Sequence, residues 1–78
     1  MTNFEKYINV FTETFGITAD ETKDLKYQSI EEWDSIGHMG LVANIEDSFN
    51  IMLDADDIID FSSFGKGIEI LKKYTIEL

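Results

Sequence analysis

Ser35 and His38 are the two residues of this 78-residue chain whose types and spacing could do chemistry. They stand three apart in the run Trp33-Asp34-Ser35-Ile36-Gly37-His38-Met39, which opens an amphipathic helical pattern. A serine one helical turn from a histidine invites a hydrolase reading. A nucleophilic serine, however, needs an oriented base, usually with an acid behind that base and an oxyanion hole. Asp34 adjoins Ser35 and is badly placed to orient the far side of His38, and no G-x-S-x-G elbow is present. A plainer reading fits the same residues. Asp and Ser both cap helices, and either one before an apolar periodic run is ordinary N-cap chemistry. Neither has a Glu or Gln three positions on, so the full capping box is absent. On the residues alone this capping reading prevails: Ser35 is a hydroxyl at the mouth of a helix, open to attachment rather than poised to attack, and His38 is a core-edge or loop-contacting side chain.

Other chemistries fare worse. There is no cysteine and only one histidine, which removes disulfides, thiolate metal sites and His-rich zinc sites. The acidic stretch from Asp54 has the look of a calcium loop, but Ile58 and Ile59 occupy the fifth and sixth positions and Gly65 the twelfth. A ligand, the turn glycine and the bidentate Glu are therefore all missing. The expectation is no metal and no catalysis.

Four helices are expected to position Ser35. The first runs from Asn3, a candidate N-cap, to Phe15, with Phe4, Ile8, Phe11 and Phe15 as its stripe and Tyr7 and Val10 beside it. Gly16 suits its C-terminal stop. A long connection to Trp33 carries Ile17, Leu25, Tyr27, Ile30 and Trp33, enough apolar side chains to pin it to a core, and Thr18 and Glu21 have capping-box spacing. The second helix spans Ser35 or Ile36 to Phe49. Leu41, Val42, Ile45 and Phe49 form its core face; Ile36, Gly40, Ala43 and Asp47 fall opposite, and Met39 lies at the boundary. A short third helix is expected over Asp54 to Asp60, anchored by Ile58, Ile59 and Phe61. A fourth runs from Ser63 to Tyr74 on Phe64, Ile68 and Leu71. No two-residue alternation signals a strand. The fold class is all-α, one domain over residues 1–78: a small four-helix bundle with a long first loop and a short third helix.

Charge narrows the partners. The net charge is −10, with six Lys and no Arg. Between Tyr27 and Gly65 nine acids stand without a single Lys, so the acidity is concentrated in the central half. Nucleic acid needs clustered cations, so it is excluded as a partner. An acidic field favours a basic protein. No apolar run approaches the roughly 18 residues that span a bilayer. The N-terminal residues do not read as a signal peptide, so the expected compartment is the cytoplasm.

Asp34-Ser35-Ile36, followed by Met39, Leu41, Val42, Ile45, Glu46, Asp47 and Phe49, resembles the acyl carrier proteins, and the likeness in helix order, length and acidity extends over the whole chain. The resemblance implies that Ser35, within a motif that includes Asp34, receives 4′-phosphopantetheine from coenzyme A through a phosphopantetheinyl transferase. It implies a monomeric carrier, loaded by an acyl- or aminoacyl-activating ligase or synthetase and read by a downstream synthase or transferase. Ile36, Ala43, Glu46, Asp47, Asp56 and Asp57 become candidate partner contacts, and Met39, Leu41, Ile45 and Ile59 candidate linings for a short acyl chain. Ile36 stands where the family usually has Leu, Trp33 where a small or aliphatic residue is common, Gly40 where an acid is frequent, and Asp54 where proline often precedes the third helix. These departures point away from general fatty acid synthesis and toward a dedicated pathway. The alternative from a different class is an unmodified acidic helical adaptor that binds a basic partner.

Overall fold

A computed structural model describes residues 1–78 as four helices: α1 (Asn3–Phe15), α2 (Ser35–Phe49), α3 (Ala55–Asp60) and α4 (Phe64–Lys72), with one 3-10 turn at Ala19–Glu21. Thr2, rather than Asn3, caps α1. Thr2-x-x-Glu5 forms a complete capping box, with Glu5 N–H donating to the Thr2 hydroxyl and Thr2 N–H to the Glu5 carboxylate. Asn3 instead donates from its amide to the Glu77 carbonyl. Gly16 ends α1 at φ 66°, a left-handed conformation that glycine adopts without a Cβ penalty. The Thr18/Glu21 spacing does nucleate a turn, and it is the 3-10 turn.

The helix faces follow the apolar spacing with a small rotation. In α1 the buried line is Tyr7, Val10, Phe11 and Phe15, while Phe4 and Ile8 sit at its edge. In α2 Leu41, Val42 and Ile45 are buried, Phe49 is half-buried, and Ile36, Gly40, Ala43 and Asp47 face outward. Helices α1 and α2 run antiparallel: Lys6 lies over the Phe49 ring, and at the other end Asn44 donates to the Thr14 hydroxyl at 2.7 Å. Helix α4 is shorter than its periodicity suggests, because residues 73–75 leave the helix in turns that fold Ile76 back onto the core.

Aromatic rings fill the interior. Phe11 meets Tyr7, Phe15, Trp33, Phe61 and Phe64 at centroid distances of 5.0–6.4 Å, in mostly edge-on geometry that favours aromatic pairs. The Tyr7 hydroxyl, buried among them, donates to the Phe64 carbonyl at 2.6 Å, and burial raises its pKa. Gly67 permits this closeness, since a Cβ there would overlap the Tyr7 hydroxyl and the Phe61 ring.

The long connection is held by backbone bonds. Tyr27 N–H donates to Ser62 O and Phe64 N–H to Leu25 O, both at 2.9 Å, an isolated antiparallel bridge rather than a sheet. Leu25 and Trp33 plug the core from this loop. Gly37, in the first turn of α2, lets the loop pass close by: a Cβ there would overlap the Glu32 carbonyl oxygen.

Candidate functional site

Ser35 is the first residue of α2 and is exposed. Asp34, in extended geometry, is the N-cap, and its carboxylate accepts from the Gly37 N–H at 2.8 Å. Because Asp34 takes the capping role, the Ser35 hydroxyl is left for other use. Nothing nearby activates it. His38, the one side chain that could serve as a base, has both ring nitrogens engaged. Nδ1 lies 2.9 Å from the Trp33 indole Nε1 and Nε2 lies 2.8 Å from the Ile58 carbonyl. An indole N–H can only donate and a carbonyl can only accept, so the neutral ring carries its proton on Nε2. The site offers a hydroxyl without the machinery of a nucleophile.

Around Ser35 the surface is apolar and acidic. Ile36 is 82% exposed and Met39 57% exposed. Ala43, Asp47 and Asp56 are exposed as well. Glu46 is half-buried, and its carboxylate accepts from the Leu53 N–H at 2.9 Å, holding the α2–α3 connection. Asp57, expected on the partner-facing surface, is buried instead. It pairs with the Lys73 ammonium and accepts from the Tyr74 hydroxyl at 2.6 Å. The Lys73 hydrogen bond first, then that of Tyr74, holds the Asp57 carboxyl below the usual carboxylate range, and the same contact raises the pKa of Lys73. Asp57 therefore ties α3 to the end of α4 and is not on the exposed acidic surface.

A groove of about 260 Å³ lies between α2, α3 and the long loop, lined by Tyr27, His38, Ile58, Ile59, Phe61 and Ser62. Its His38 wall is one helical turn from Ser35, and residues three apart on a helix are neighbours. Of the four candidate lining residues, Ile59 borders this groove. It is 77% exposed, so anchoring of α3 falls to Phe61 and, in part, to Ile58. Leu41 and Ile45 are closed into the core and Met39 faces solvent, so none of the three reaches the groove. Tyr27, His38, Ile58, Phe61 and Ser62 complete the lining of the groove. Ile58 and Phe61 carried a signal as α3 anchors, whereas nothing in the spacing of Tyr27 or Ser62 marks them.

The site is an exposed serine at the start of the second helix of a small helical bundle, beside a histidine whose two ring nitrogens are both engaged. No protein-family model and no solved structure matches the chain. The chain is 33% identical over 72 residues to the acyl carrier protein of Lactobacillus johnsonii, an alignment that covers 91% of this chain and 90% of that protein. It belongs to the acyl carrier protein family.

Proposed function

We propose that Ser35 carries a 4′-phosphopantetheine arm, transferred from coenzyme A by a phosphopantetheinyl transferase, and that the protein tethers acyl or aminoacyl groups on it as thioesters. One observation supports this most directly: Ser35 opens α2 exposed while the Asp34 side chain does the capping. A phosphodiester on the Ser35 oxygen would sit at the positive end of the α2 dipole, beside N–H groups that the helix leaves unpaired. The arm supplies a terminal thiol, and the chain has no cysteine to compete with it.

The protein itself performs no bond-breaking step. It raises the local concentration of its cargo at each enzyme it meets, as any tether does. Ile36, Ala43, Asp47 and Asp56 form the accessible contact surface for an activating ligase or synthetase and for a downstream synthase or transferase. Asp47 and Asp56 would meet basic patches and Ile36 an apolar one. Peptide mapping after incubation with coenzyme A, magnesium and a broad-specificity transferase tests the assignment. The increment is expected on the peptide that contains Ser35, and an increment on any other serine would refute it.

A further inference from the structure

We infer that the Trp33–His38–Ile58 bridge is a closed gate that limits the groove's shelter to short groups, and that His38 is the residue that sets this limit. The inference rests on the carrier reading above. The His38 wall of the groove stands one helical turn from Ser35, on the side a group folding back from the serine would use to enter it. Behind His38 there is no room. Its ring lies edge to edge with Trp33 and within 13° of its plane, Trp33 is fully buried, and the indole stacks in turn on Phe15 at 5.3 Å and meets Phe11 edge-on. Phe61 closes the remaining side at 1% exposed.

Two hydrogen bonds hold the gate, one on each ring nitrogen. Opening it would leave the buried indole N–H without an acceptor, and such a group is costly to orphan. The space outside the gate is small. About 260 Å³ falls below the roughly 300–1,000 Å³ of sites that enclose a drug-sized ligand. The other depression in the molecule lies among Lys72, Thr75, Glu77 and Leu78, away from the groove residues. A long hydrocarbon tail therefore has no apolar channel to enter. A short acyl or aminoacyl group can rest against Ile58, Ile59 and Phe61, which with Tyr27 and Ser62 line the groove.

A chain-length series tests this. The protein is loaded with phosphopantetheine arms already bearing acetyl, butyryl, octanoyl or myristoyl groups, and intact mass reads the loading. Cleavage of each thioester by hydroxylamine is then timed against the matching free acyl-pantetheine. In the wild type, butyryl protection is expected to be the greatest, with octanoyl and myristoyl no better protected. In His38→Ala, and in Trp33→Phe, which removes the indole donor but keeps a ring, octanoyl cleavage is expected to slow about tenfold relative to wild type, equivalent to about 1.4 kcal/mol. Protection that climbs steadily with chain length in the wild type would overturn the inference whether or not the variants fold. So would helical variants whose octanoyl thioester is cleaved at the wild-type rate. Failure to load any arm at Ser35 would contradict the carrier reading first, and this inference with it.

Discussion

The Trp33 indole donates its N–H to Nδ1 of His38 at 2.9 Å, across the boundary between the long loop and α2. Because the opposite ring nitrogen faces the Ile58 carbonyl, one imidazole joins loop, second helix and third helix within a turn of Ser35. The Ser35 hydroxyl thus stands one helical turn from a side chain that ties three segments together.

His38→Ala removes both bonds and strands a fully buried indole N–H. The expected loss is about 1–3 kcal/mol of unfolding free energy. Urea denaturation followed by Trp33 fluorescence measures it, and an unchanged midpoint would show that the bridge does not stabilise the fold.

The glycines separate by what surrounds them. A Cβ at Gly37 would overlap the Glu32 carbonyl, whereas nothing lies within 4 Å of one built on Gly65, in the first turn of α4. Gly37→Ala is expected to destabilise by about 1–3 kcal/mol through overpacking. Gly65→Ala is expected to stabilise by about 0.5–1 kcal/mol through helix propensity. Paired thermal melts check this, and equal shifts of the same sign would contradict the packing described at Gly37.

Acid should loosen α3. Lys73 and Tyr74 hold the Asp57 carboxyl below its ordinary value of 3.8. A carboxylate with a depressed folded-state pKa contributes stability that is complete above the unfolded value and is lost as pH falls through the folded one. Asp57→Asn should therefore lower the melting temperature at neutral pH and flatten the loss of stability below about pH 4. A variant whose acid limb parallels that of the wild type would show that this carboxylate does not contribute.

The four helices, the exposed Ile36 and the core residues of α2 were legible because a helix 3.6 residues per turn projects its apolar positions onto one face. The Thr2/Glu5 capping box was also present in the sequence, one residue before the expected start, and it outcompetes Asn3 because it satisfies two backbone groups at once. The fate of Asp57 was not legible. Among four closely spaced acids, the buried one is selected by Lys73 and Tyr74, whose approach depends on how the chain turns after α4. The groove was hidden for the same reason: Tyr27 and His38 meet Ile58 and Ser62 only once the loop has paired with the start of α4.

Salt should stabilise the molecule. Asp34, Asp47, Asp54, Asp56 and Asp60 are all exposed in a region without a Lys, and like charges raise the energy of the compact state. The melting temperature is expected to rise with sodium chloride, and further with magnesium. A fall would mean that surface ion pairs outweigh this repulsion.

The carrier assignment is tested most directly by intact mass. The protein and Ser35→Ala are each incubated with coenzyme A, magnesium and a phosphopantetheinyl transferase shown to be active on another carrier. A single phosphopantetheine increment on the wild type, absent from a Ser35→Ala variant that retains its helical circular dichroism, is the predicted result. An increment that persists in Ser35→Ala, or none on the wild type, would contradict the account.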